Sequence, residues 1–199
     1  MLNDEKRGVE EAYQCAGTSS NLRVEADRQG DADILIAAGW TPRMMGAAAI
    51  RLRGEWDRSE KPRLLAKVEA QKLAAAEPKS PSGASAVQVH YWQQLRELAG
   101  KLKSFRAVMD PLGVYMHGDW RNARDVVLWW LEQNCAACGG TKWEVVKGTN
   151  RHGNKLCRRC GGSGLAEAPH GAVGRKAANF LDDSVQSARD SIKRRLQRL

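Results

Sequence analysis

Cys135-Ala-Ala-Cys138-Gly-Gly-Thr-Lys142 and Cys157-Arg-Arg-Cys160-Gly-Gly-Ser-Gly164 are the two stretches on which the reading of this chain turns. The two residues inside each Cys-x-x-Cys let a tight turn present both sulfurs to one ion. Four soft ligands arranged tetrahedrally, with sulfur at about 2.3 Å, are what structural zinc takes. Eighteen residues separate the pairs, Gly148, Gly153 and Asn154 among them. Gly139, Gly140, Gly161 and Gly162 can adopt positive φ, which turns backbone N–H groups toward the sulfurs and shares the negative charge of four thiolates. The position that holds Gly164 in the second knuckle holds Lys142 in the first, so the sequence predicts two non-equivalent turns.

A redox dithiol or a disulfide is the competing use of a Cys-x-x-Cys pair. A second pair at knuckle spacing, with no βαβ pattern around either, favours one structural Zn2+ held by Cys135, Cys138, Cys157 and Cys160. Cys15 has no local His or Cys partner and reads as an ordinary free thiol.

A length of 199 residues allows one ordinary domain or two small ones. The start, Met-Leu-Asn-Asp-Glu-Lys-Arg, lacks an apolar leader core, and no run approaches the roughly twenty apolar residues of a membrane span. The expectation is a soluble protein of the cytoplasm, with no membrane partner, where zinc thiolates persist. Net charge is +9, which favours an acidic partner such as nucleic acid. From Lys142 to Lys176 there are eight Lys/Arg against Glu144 and Glu167, and the last eleven residues add five more against Asp190. The first 33 residues are net acidic, so much of the basicity lies in and beyond the cysteine region.

Residues 1–30 lack apolar periodicity and read as a weakly ordered arm. Residues 31–76 read as N-terminal helices: one over about Asp31 to Ala38, a second started by Thr41-Pro42 with a stripe of Met45, Ala48, Leu52 and Trp56, and a short one after Pro62. Residues 77–85 read as a linker. Residues 86–134 read as a helical core. Val87, Tyr91, Leu95, Leu98, Leu102, Phe105 and Met109 draw one face of a long helix stopped by Pro111-Leu-Gly113. Asp119 then caps a second helix carrying Ala123, Val126, Val127, Trp130 and Leu131, whose tryptophans read as core. The finger occupies 135–164, with a small ribbon near Lys142 to Lys147. Residues 165–199 read as a helix through Phe180 and a separate basic helix started by Asp182-Asp183-Ser184. The fold class expected is all-α, a helical domain with a four-cysteine zinc finger inserted in a region like a helix-turn-helix.

In a helix-turn-helix the second helix enters the major groove N-terminus first. Arg175 and Lys176 are then candidates for guanine edges or phosphates, Asn179 for adenine, and His170 for the entering end. Arg151, Lys155, Arg158 and Arg159 are candidates for flanking phosphates. A solvated helix face is the competing reading of those charges.

The second knuckle as a full Cys-x-x-Cys-x-Gly-x-Gly (Cys157, Cys160, Gly162, Gly164), the segment from Pro169 into a helix with Arg175, and two amphipathic helices upstream together resemble the late-gene antitermination proteins of lambda-like bacteriophages, the Q type. The resemblance covers about residues 86 to 182. It implies an all-α regulator, not an enzyme, that binds double-stranded promoter DNA in a bacterial host, engages RNA polymerase and makes it read through terminators. It also implies that the four cysteines hold zinc and that the 170–180 helix is the recognition element.

The same knuckle occurs in the cysteine-rich region of DnaJ-type chaperones, where four repeats are expected and this chain has two. A zinc-finger interaction module with RNA or protein partners is the alternative reading. Enzyme readings are weaker. The run Gly148 to Lys155 has Asn154 between its Gly and its Lys and lies between cysteine pairs instead of between strand and helix. Four thiolates leave no coordination position for water, and His152 would compete with a complete set. Capping and solvation account for Asp119 and Asp125 better than a nuclease does.

Overall fold

In the computed structural model, residues 8–20, 22–23, 30–39, 44–62, 86–135, 137–145 and 152–197 are described. Among them are seven helices and two strands: α1 (Val9–Ala16), α2 (Asp31–Gly39), α3 (Met44–Arg58), α4 (Ala86–Lys101), α5 (Phe105–Tyr115), α6 (Trp120–Leu131), β1 (Trp143–Val145), β2 (His152–Leu156) and α7 (Gly171–Leu196). The protein is therefore mostly helical with one small antiparallel strand pair. None of the described helices is long and apolar enough to cross a membrane. The helix start at Thr41-Pro42, the helix after Pro62 and the 77–85 linker lie outside the described residues.

The chain divides into two units, Met1–Val108 with Ser184–Leu199, and Met109–Asp183. The second half of α7 thus belongs with the N-terminal helices. In the first unit, α3 buries the expected stripe of Met45, Ala48, Leu52 and Trp56. Its Gly46 lies against α7 so closely that a Cβ there would stand 2.0 Å from the Ser184 carbonyl oxygen. Residues 1–30 are not simply an arm. They contain α1, which packs on α2 and α3 and buries Tyr13 and Ala16. Burial pushes the Tyr13 hydroxyl above its usual pKa, partly offset by the Arg51 guanidinium. With only two side chains buried, the sequence signal of α1 is small.

The single long helix expected from 85 to 109 is two. The chain breaks between Lys101 and Phe105, where the buried Ser104 donates its N–H (3.0 Å) and its hydroxyl (2.8 Å) to the Glu55 carboxylate of α3. Two charge-assisted bonds stabilise a helix start that local periodicity does not reveal. Pro111 does not stop α5. It lies inside the helix, and the carbonyl it deprives of a donor belongs to the exposed Ala107. The stop comes later, where Gly118 N–H bonds to the Gly113 carbonyl (2.8 Å) and His117 N–H to that of Val114 (3.0 Å), with His117 at φ 56. This is a Schellman ending with histidine in the left-handed position that glycine usually fills.

The second unit is built on α6, α7 and the end of α5. Asp119 caps α6 as expected, its carboxylate accepting from the Asn122 N–H at 3.1 Å. Ala123, Val126, Val127, Leu128 and Trp130 are buried, and the Trp130 indole N–H donates to Asp182 of α7 at 2.7 Å. Tyr115 stacks on Phe180 with ring centroids 4.1 Å apart. No separate terminal helix begins at Asp182-Asp183-Ser184; α7 is continuous from Gly171 to Leu196. Asp182 is occupied by Trp130 and Ser184 is buried, so neither is turned to capping.

Candidate metal centre

The chain leaves α6 through Asn134, which bridges to Leu165, and enters the first cysteine turn. The ribbon of β1 and β2 follows, with Trp143 opposite Leu156 and Val145 opposite His152, and leads into the second turn. Cys138 and Cys160 stand 22 positions apart, and so does every corresponding pair in the two knuckles.

The structure repeats with that same shift. Gly139, Gly140 and Lys142 have φ of 58, 83 and 73; Gly161, Gly162 and Gly164 have 59, 84 and 80. Thr141 donates its hydroxyl to the Cys138 carbonyl (2.6 Å), as Ser163 does to that of Cys160 (2.8 Å). The amide of Cys135 bonds to the carbonyl of Gly164 (2.9 Å), and that of Cys157 to the carbonyl of Lys142 (2.8 Å). The two turns are thus equivalent in backbone, contrary to the reading of Lys142 as a departure. Lysine is held at positive φ there because its carbonyl receives the second knuckle.

Cys135, Cys138 and Cys157 are buried and Cys160 is half-buried. Their four sulfurs lie within 4.8 Å of one another. A tetrahedron with metal–sulfur bonds of about 2.3 Å has edges of about 3.8 Å, and Cys138 and Cys160 are 3.8 Å apart. The donor set and spacing fit a metal ion held by four thiolates. The Gly164 N–H reaches the Cys160 sulfur at 3.3 Å, as expected of a knuckle glycine. Burial alone would raise the pKa of Cys160. The N–H groups of Gly164 and Gly162, with the thiols of Cys157 and Cys138, outweigh it and bring Cys160 down to about 6. Burial raises Cys135.

The centre is tied to the helices by α6 and the segment that follows the finger. The Ala166 N–H bonds to the Gln133 carbonyl (2.7 Å), and the Trp129 indole N–H donates to the Ala166 carbonyl (3.0 Å). Trp129, half-buried on α6, is a side chain that fixes the finger's exit.

The candidate nucleic-acid residues are placed as follows. Lys155 on β2 is exposed, and so are Arg158 and Arg159 between the ligands of the second knuckle. Arg158 pairs with Glu144 of β1 at 3.2 Å. Arg175, Lys176 and Asn179 are exposed on the first turns of α7, whose other side buries Ala177, Ala178 and Leu181. Val173, on the same first turns, is 59% exposed although apolar. His170, at φ 59 immediately before α7, reaches Asp125 of α6 at 3.5 Å. Arg151 and the side chain of His152 lie outside the described residues. What residue spacing did not single out is the apolar surface of the finger and its exit, where Trp143, Leu156 and Leu165 are each at least 42% exposed. Comparison with protein-family models, curated proteins and solved structures finds no match to this chain.

Proposed function

We propose that this chain is a late-gene transcription antiterminator of the Q type, an adaptor that binds promoter DNA and converts bacterial RNA polymerase in the cytoplasm of the host to a form that reads through terminators. It makes and breaks no bond. Cys135, Cys138, Cys157 and Cys160 hold one Zn2+, whose contribution is to cross-link the finger. In this reading α6, the finger and the first turns of α7 form a helix-turn-helix whose turn has been replaced by the finger, with Arg175, Lys176 and Asn179 toward base edges and Lys155, Arg158 and Arg159 toward phosphates.

The observation that carries the reading is the sulfur cluster standing directly before a helix whose first turns expose two cations and an amide. A mobility-shift assay on fragments of the encoding genome, at about 0.15 M salt with excess random DNA, tests it. One promoter-bearing fragment should outlast the competitor and be lost on chelation, and a transcription assay on that fragment should show terminator read-through. Arg175→Ala should cost roughly 1–3 kcal/mol on that fragment and far less on random DNA. Uniform retention of all fragments, or of none, overturns the reading.

The exposed Trp143, Leu156 and Leu165 favour a second one, a zinc-finger module for protein contact. It predicts that Trp143→Ser abolishes binding to a protein partner while leaving zinc bound.

A further inference from the structure

Outside the finger, the first unit contains a groove of about 370 Å³ lined by Arg51, Arg58, Lys101 and Lys103, with Glu55 and Gln14 on its walls. The four cations are exposed. Among the described residues none of them forms an ion pair with a carboxylate. Glu55, the one acid among the described lining residues, spends both carboxylate oxygens on Ser104.

A simpler role for such cations would be to neutralise helix C-termini, since α1, α3 and α4 all end at this groove. One terminal carbonyl of each helix is already served by shorter means. That of Trp56 accepts from the Ser59 N–H and hydroxyl and from Lys61; that of Cys15 accepts from the Thr18 N–H and hydroxyl; that of Ala99 accepts from the Leu102 N–H. The same bonds commit the hydroxyls of Thr18 and Ser59, and the Gln14 amide donates to the Ile50 carbonyl (3.2 Å), so among the described lining residues the charged donors are two guanidinium groups and two ammonium groups. Guanidinium and ammonium together are the donor set that holds phosphate oxygens. Among the described residues no aromatic ring lines the groove, so none of them stacks on a base.

We propose that this groove is an anion site for phosphate groups, read as charge without sequence and independent of the finger. The phosphates belong either to a nucleic-acid backbone or to a free polyphosphate, and the test separates the two. Full-length, metal-loaded protein is titrated with inorganic tripolyphosphate by calorimetry and with a labelled random-sequence DNA duplex by anisotropy, between about 50 and 200 mM salt. The groove variant is Arg58→Gln with Lys103→Gln. The charge-matched control is Lys193→Gln with Arg194→Gln in the last turns of α7, and Arg58→Lys with Lys103→Arg preserves charge in the groove.

Each phosphate contact contributes roughly 0.9 to the slope of log affinity against log salt. If backbone phosphates occupy the groove, its variant lowers the duplex slope by about 1.8 and the control pair does not. If free polyphosphate is the ligand, the groove variant weakens tripolyphosphate tenfold or more with the duplex slope unchanged. In either case the charge-preserving swap retains binding. Equal losses in the groove and control variants, or no loss in the groove variant for either probe, overturn the proposal. Because Arg175 and the cysteines are untouched, failure here leaves the antiterminator reading standing, and the reverse also holds.

Discussion

Replacing Gly164 by alanine should weaken metal binding about a hundredfold, whereas replacing its counterpart Lys142 by glycine should leave binding intact or tighten it. At Gly164 the backbone has φ 80, and an added Cβ would stand 2.7 Å from the Gly140 carbonyl oxygen and 3.1 Å from Lys142 Cγ. The left-handed conformation costs a side-chain-bearing residue roughly 1–2 kcal/mol. The backbone contact adds roughly 1–3 kcal/mol, since Gly140 is itself fixed at φ 83 beneath Asn134 and cannot withdraw. Any shift also strains the Gly164 carbonyl that receives the Cys135 amide and the N–H that reaches Cys160. About 3 kcal/mol, coupled to metal binding where such a finger folds around an ion, is a factor of about 10² in apparent affinity. Lys142→Gly relieves the same conformation at φ 73 and loses part of that gain to the greater freedom of glycine in the unfolded chain. The expected gain is about 0.5 kcal/mol, or two- to threefold. Competition with a chromophoric zinc chelator at fixed pH reads both. Equal effects at the two positions, or an unaltered affinity in Gly164→Ala, would refute the argument that the knuckles share one backbone and differ only in which of them carries the strain.

Gly46→Ala should destabilise the first unit by at least about 3 kcal/mol, because its Cβ would meet the Ser184 backbone at 2.0 Å and the Ala188 Cβ at 2.9 Å; thermal melting followed by circular dichroism checks this. Glu55→Ala leaves the buried Ser104 N–H without its acceptor and should cost about 1–3 kcal/mol in urea unfolding. Asp119→Ala removes the α6 cap and should cost about 1 kcal/mol by the same assay, with Asp119→Asn restoring most of it. Chelation of the metal should abolish amide-exchange protection at Cys135 and Cys157, whose N–H groups are bonded across the two knuckles.

The cluster of sulfurs was legible because Cys-x-x-Cys followed by Gly-Gly encodes its own turn, and a second copy fixes where the first must go. The Asp119 cap and the stripe on α3 were legible for the same reason: each is a local pattern with a local cause. The features that were not legible have distant causes. The break before Phe105 depends on Glu55, 49 positions away. The continuity of α7 depends on Trp130 taking Asp182, 52 positions away, so that residues with the chemistry of a cap are otherwise engaged. Lys142 concealed a positive φ because the conformation is normally signalled by glycine, and only the register with Gly164 discloses it. For the basic residues, the sequence supplies charge and helix position, and the structure adds exposure. What each would touch is the property of a partner, and no regularity within the chain encodes it.

The reciprocal bonding of the knuckles carries a consequence for the order of events during synthesis. The amide of Cys135 is held by Gly164 and that of Cys157 by Lys142, so neither turn is complete until the last residue of the second has been made. At a synthesis rate of roughly 5–20 residues per second, the first two thiols emerge seconds before their partners. For that interval they form a two-coordinate site open to oxidation and to competing metals. The 22-residue displacement between the knuckles therefore sets a window of vulnerability during translation, and it closes only when Gly164 has left the ribosome.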